Sequence, residues 1–196
     1  MRYDIVIDGR ENWVVAEDEF SPKYVRKYES IMGQGNGYMG LRASTEETYP
    51  RNAGKLCVAG TFNMKTVNLP KGGISCELPN CADLISVRIE LDGEAIDLSG
   101  GDYSSYLRTL DLYNGLLTRS FTYKDVDFRF ERFVSLHDRH LAGQRIRICP
   151  RTRPVEIKLA AGIGVERYGE MHFNKTSSRK STLHPPRPSK TTSTQT

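Results

Sequence analysis

The chain has 196 residues, 38% of them hydrophobic, which is enough to bury a sizeable core; one domain is expected, two small ones are allowed, and disorder throughout is argued against. Its net charge of +4 is unevenly placed, because Lys175, Arg179, Lys180, Arg187 and Lys190 fall in a stretch without acidic residues, and without those five the remainder stands at about −1. The globular part therefore has no excess positive charge for phosphates, and nucleic-acid binding loses its main support. In chain order, "MRYDIVIDGRENW" carries Asp4 and Asp8 and no apolar h-region, so it does not read as a secretory signal. No stretch approaches a membrane span, and a cytoplasmic protein without a membrane role is expected. "YDIVIDG" is a short strand candidate, and "NWVVAEDEF" is another element that carries the single tryptophan, Trp13. "LCVAGTFNM" reads as a strand containing a glycine, and "NLPKGGISCELPN" as a loop.

From Leu84 onward the dominant period is two. Ile85, Val87, Ile89 and Leu91 alternate with polar residues, and Asp92-Gly93 then turns the chain into a hairpin. Leu110 and Leu112 precede Asn114-Gly115, and Leu117, Arg119, Phe121 and Tyr123 follow it, which predicts a second hairpin of the same kind. Val126, Phe128 and Phe130 share one face of a third strand, while Phe133 is out of phase and predicts a bulge near Arg132. "GQRIRIC" and "VEIKLA" add two alternating segments around the breaker "PRTRP". No long window after Leu84 holds a helical apolar stripe. The fold class is all-β, a sandwich of antiparallel sheets. Residues 1–166 are expected to form it; 167–196, rich in Ser, Thr, Pro and Lys, are expected to be a disordered low-complexity tail.

Gly35-Asn36-Gly37-Tyr38-Met39-Gly40 has the spacing of a dinucleotide loop. Such a loop needs a hydrophobic strand before it and an amphipathic helix after it. "VRKYES" is too charged for the strand, "LRASTEETYPRN" lacks the helical stripe, and Gly60 stands where the ribose-binding acid would be. The glycines are instead expected to allow positive φ and close backbone approach in a turn, and no cofactor is expected. Cys57, Cys76, Cys81 and Cys149 form no C-x-x-C pair and read as reduced, partly buried thiols. His137 and His140 flank Asp138, but the surroundings are strand-like and a third ligand is missing, so no metal is expected. Glu46, Glu47, Glu90, Asp92, Glu94 and Asp97 could supply paired carboxylates for glycoside chemistry; solvated faces and turns are the favoured reading. No G-x-S-x-G elbow is present. Tyr103, Tyr106, Tyr113 and Tyr123 could stack on sugar rings, though tyrosines are also ordinary strand formers.

Taken in order, Trp13, "YESIMGQGNGYMGLRASTEE", "VAGTFN", "ELPN", "IELDGEAIDLSGG", "YLRTLDLYNGLLTR" and "RFVSLHDRHL" resemble the N-terminal domain of glycoside hydrolase family 65, which includes maltose, kojibiose and trehalose phosphorylases. The likeness runs from Trp13 to Ile163, and the block around "GNGYMG" is its most distinctive part. It implies a large galactose-mutarotase-like supersandwich followed, in the family, by a helical linker and an (α/α)6 barrel. A barrel glutamate there protonates the glycosidic oxygen while phosphate attacks the anomeric carbon with inversion, giving glucose 1-phosphate from a disaccharide. That barrel is longer than this whole chain, so the resemblance implies a truncated, non-catalytic fragment, carrying no catalytic residue of its own. Glu29, Asn36, Tyr38 and Arg42 are expected to be structural or to face the barrel, with Glu29 and Arg42 paired across the turn. A frameshift would account for the change of composition near the end; resequencing that finds no barrel frame downstream would count against it. An apolar face left bare where the barrel docks would favour aggregation or a homodimer. Two rivals stand beside the fragment: a free-standing carbohydrate- or partner-binding sandwich, and a mutarotase-like enzyme using His137 or His140 with Glu90 or Glu94.

Overall fold

The computed structural model describes residues 9, 13–47, 49, 56–67 and 73–163. The strand expected over Tyr3–Gly9 lies outside them apart from Gly9, and so does the tail expected over 167–196. In chain order the elements are β1 (Val14–Glu17), α1 (Val25–Ile31), β2 (Gln34–Gly35), β3 (Met39–Leu41), β4 (Leu56–Val58), β5 (Asn63–Val67), β6 (Gly73–Glu77), β7 (Val87–Leu91), β8 (Glu94–Ala95), β9 (Tyr103–Asp111), β10 (Leu116–Tyr123), β11 (Val126–Val134), β12 (Ala142–Pro150) and β13 (Ile157–Ala161). They pair antiparallel in sheets β1-β9-β10-β11-β12, β13-β7-β8, β2-β3-β4 and β5-β6. This is the all-β sandwich that the alternating sequence predicts.

The period-two strands explain the layers. Val87, Ile89 and Leu91 all point inward from β7, where they share one core with Phe121, Phe128 and Phe130 of the five-stranded sheet. Phe121 and Phe128 are directly opposed across β10 and β11, with ring centroids 5.2 Å apart. Burying side chains of this size contributes roughly 1.5–3 kcal/mol each, so the seam between the two sheets carries much of the stability. A second cluster gathers Tyr28 and Met32 of the α1 region with Leu110 and Leu117. That contact fixes the helix against the same sheet face that the aromatic core occupies further along.

The turns follow their residues. Asp92 and Gly93 have φ of 50° and 84°, the mirror-image turn whose twist matches antiparallel strands. The second hairpin differs from the first: its loop spans Leu112 to Gly115, and the Asp111 carboxylate accepts from the Tyr113 and Asn114 amides at 2.9 and 3.2 Å.

Three expectations need correction. The bulge is not near Arg132, since β11 pairs without a register shift from Tyr123↔Val126 to Leu117↔Arg132 and from Val126↔Pro150 to Val134↔Ala142. Phe133 is out of phase because it lies on the outer face opposite Gly143, where a Cβ would come within 2.4 Å of its ring. The irregularity sits instead where β9 meets Ser120 and Thr122, with Ser105 at φ 55°. "LCVAGTFNM" holds two strands, β4 and β5, divided at Gly60, whose φ is 82°. The segment read as a loop contains β6, which pairs with β5 from Asn63↔Glu77 to Val67↔Gly73; its short run among Gly and Pro hid the strand.

Candidate functional site

Alternation places three arginines on the inward face of three neighbouring strands: Arg108 in phase with Tyr106 on β9, Arg119 in phase with Phe121 on β10, and Arg132 in phase with Phe130 on β11. All three are buried. A buried cation needs partners, and they come from two directions. Glu17, opposite Arg108 in the β1–β9 register, receives its guanidinium at 3.4 Å and the Tyr106 hydroxyl at 3.1 Å. The segment Ala43–Glu47, which follows β3, lies buried across the same face. The Ala43 carbonyl accepts from Arg108, the Ser44 carbonyl accepts from Arg132 at 2.8 Å, and Arg119 reaches Glu46 at 2.6 Å and Glu47 at 2.7 Å. A loop drawn into the core would leave carbonyls unmet; here the arginines meet them.

The carboxyls respond unequally. Burial raises the Glu47 carboxyl above the ordinary range, and the Glu46 charge adds to it beyond what Arg119 restores. Burial would raise Glu46 too, but Arg119 and Arg132 outweigh it and hold that carboxyl below the ordinary value. Burial also lifts Glu17 against the pull of Arg108 and the Tyr106 hydroxyl. Between the loop and the sheet lies a cleft of about 10 Å³, lined by Ser44, Glu46, the three arginines, Leu117 and Phe130. On the order of one water molecule fits such a space, and a sugar ring does not.

The glycine block builds a different feature beside this network. Asn36 ties the β2–β3 turn to the loop after β11: its amide donates to the Ser135 and Arg139 carbonyls at 2.7 and 3.0 Å, and its Oδ1 accepts from the Tyr38 and Met39 amides at 3.0 and 2.9 Å. The Tyr38 ring meets His140 edge-on at 4.4 Å, with the Arg139 guanidinium 5.6 Å away. Two candidates from separate readings, Tyr38 and His140, therefore share one half-exposed cluster. Gly37 needs its positive φ of 85°, whereas Gly35 and Gly40 serve close approach. Glu29 lies inside, accepting from the Ser44 hydroxyl at 3.0 Å; Arg42, half-buried, stands 3.7 Å from it and donates to the Ser30 hydroxyl.

The remaining candidates divide. Glu90, Asp92, Glu94 and Asp97 do belong to turns and ion pairs: Glu90 with Arg88, Asp92 with Arg153, Glu94 with Lys124, and Asp97 capping the Ser99 amide. Glu46 and Glu47 are not on a solvated face: both are interior, paired with Arg119. Of the tyrosines, Tyr106 and Tyr123 are buried and Tyr103 partly so, which removes most of the stacking platform; Tyr113 stays exposed, edge-on to Trp13 at 6.1 Å. His137 is exposed, and among the described residues no hydrogen bond or ion pair joins either histidine to Glu90 or Glu94. Arg108, Arg119 and Arg132 were not among the sequence candidates. Their signal was there, an arginine in the inward phase of "LTRSF" and of "FRFERF", since such a position is costly unless paired.

Comparison with known proteins places this geometry. Residues 15–187 match the family described as glycosyl hydrolase family 65, N-terminal domain. Kojibiose phosphorylase of Halothermothrix orenii is 38% identical over 170 residues, which are 83% of this chain and 21% of that protein. Kojibiose phosphorylase of Escherichia coli is 32% identical over 172 residues, 84% of this chain and 22% of that protein. A solved structure described as a kojibiose phosphorylase from human microbiome superposes with a TM-score of 0.66 at 25% identity, covering 75% of this chain and 21% of the other. The chain thus spans about a fifth of the length of the relatives it matches.

Proposed function

Because the chain belongs to glycosyl hydrolase family 65, as its N-terminal domain, we propose that it is the non-catalytic sandwich of a disaccharide phosphorylase and is inactive by itself. The reaction it would serve is attack of phosphate on the anomeric carbon of an α-glucosidic disaccharide with inversion, releasing glucose 1-phosphate. Kojibiose is the first disaccharide to try, given the relatives' names. The observation that carries the reading is the fate of Glu46 and Glu47. A general acid must reach the glycosidic oxygen, yet these two are held on Arg119 beneath a cleft of about 10 Å³. Residues 1–166 are taken as the sandwich, and Asn36 and Tyr38 as part of a surface that a catalytic barrel would contact. The test is incubation of the purified chain with kojibiose, maltose or trehalose and phosphate. No glucose 1-phosphate above background is expected; turnover would overturn the reading.

A second reading, a carbohydrate-binding module, is favoured by one feature. Trp13, Leu112 and Tyr113 are exposed side by side at the β9–β10 loop, and aromatic faces of this kind suit sugar rings. Saturable disaccharide binding without turnover, lost in Trp13→Ala, would select it.

A further inference from the structure

The three inward arginines are not equally neutralised. Arg108 has Glu17, and Arg119 has both Glu46 and Glu47. Arg132 is only 4% exposed, and among the described residues no carboxylate lies within ion-pair distance of it; its one acceptor is the Ser44 carbonyl. Its Nε and Nη1 are buried without acceptors, as are Nε and Nη1 of Arg119. Burial pushes the Arg132 guanidinium down to about 10, and the like charges of Arg108 and Arg119 add to this against the opposing Glu46 and Asp83. The group stays charged at neutral pH and needs an acceptor. Both orphaned guanidinium edges belong to residues that line the cleft beneath Ala43–Glu47.

We propose that this cleft is a binding site for one chloride-sized monovalent anion, held by Arg132 and Arg119. Leu117 and Phe130 supply an apolar wall, which suits a weakly hydrated halide against weakly hydrated guanidinium groups. The Glu46 carboxylate also lines the cleft and opposes an anion, but its oxygens are already engaged by Arg119 and the Gln144 amide, at 2.6 and 3.3 Å. The volume of about 10 Å³ admits a monatomic ion and excludes phosphate and sulfate. The anion is therefore structural, pinning the Ala43–Glu47 segment to the sheet, and it is separate from the phosphate of the proposed phosphorolysis.

Crystals of the full chain grown in bromide test the site directly. An anomalous peak within hydrogen-bonding distance of Arg132 Nε or Nη1 is expected; a water molecule there, without anomalous signal, would overturn the proposal. In solution, thermal unfolding is followed while chloride replaces gluconate at constant ionic strength, for the wild type and Arg132→Gln. General salt effects act on both chains alike, so the expected result is a Tm that climbs with chloride in the wild type and a smaller climb in the variant. Equal climbs in the two chains would overturn it. Should Arg132→Gln fail to fold, the bromide crystals decide alone.

Discussion

Arg119 lies directly opposite Arg108 across the β9–β10 pair, two cations in facing positions on the buried side of one sheet. Like charges placed so are destabilising unless each is neutralised, and the flanking acids do this: Glu17 from β1 on one side, Glu46 and Glu47 from the inserted segment on the other. Removing one partner from a buried ionic cluster costs about 3–5 kcal/mol, because the charges left behind lose their compensation. Arg119→Ala leaves Glu46 and Glu47 buried against each other, and a loss of that size is expected in urea unfolding. The triple variant Arg119→Met, Glu46→Gln, Glu47→Gln removes the charges together and should recover much of the loss. A triple variant as unstable as Arg119→Ala would show that packing, and not charge, dominates there.

The unequal carboxyls give opposite pH responses. Glu46 is held below its ordinary value of 4.5, so its contribution is present above that value and disappears as pH falls through the lowered one. Glu47 and Glu17 are raised above 4.5, so their contribution is complete below it and is lost as pH rises through the raised values. Glu46→Gln should therefore cost most near neutrality and least in acid. Glu47→Gln should cost most in acid and least near neutrality. Unfolding free energies measured from about pH 2 to 8 separate the two, with the Glu46 change falling below its ordinary value and the Glu47 change above it; parallel pH profiles for both variants would contradict the assignment.

Strand alternation and turn residues are local signals, which is why the hairpins at Asp92-Gly93 and Asn114-Gly115 and the inward rows of Ile89, Phe121 and Phe128 were legible in the sequence. The buried course of Ala43–Glu47 was not. "ASTEE" is polar and would pass for a surface loop; its burial follows from arginines some 65 to 90 positions away, on strands whose adjacency is set by the whole sheet. For the same reason the sequence alone presents Glu46 and Glu47 as solvated acids. Asn36, Tyr38 and Arg42 stand out in the sequence as part of a family block, and only the fold shows Asn36 bonded across to the loop after β11.

Asn36 makes four hydrogen bonds through one side chain, two donated and two accepted. Asn36→Ala leaves the Ser135 and Arg139 carbonyls and the Tyr38 and Met39 amides to find solvent, and at about 0.5–1.5 kcal/mol for each of the four bonds, a cost of about 2–6 kcal/mol is expected. Asn36→Asp keeps the two accepted bonds and sets a carboxylate against two carbonyls. It should be at least as damaging at neutral pH and partly recover in acid, where a protonated carboxyl can donate. Denaturant unfolding at both pH values checks this; an aspartate variant close to wild type at neutral pH would remove the donated bonds from the account.

Gly37 separates conformation from space within the glycine block. Its φ of 85° lies in the region L side chains avoid, while a Cβ there would meet nothing within 4 Å. Gly37→Ala should therefore cost about 1–2 kcal/mol through backbone strain alone. Gly37→Asn, a residue that tolerates the left-handed region, should cost less than alanine despite its larger side chain. The order Gly, Asn, Ala in Tm is the expected outcome. If stability fell with side-chain size instead, with asparagine the worst, crowding would replace strain as the reason for a glycine at this turn.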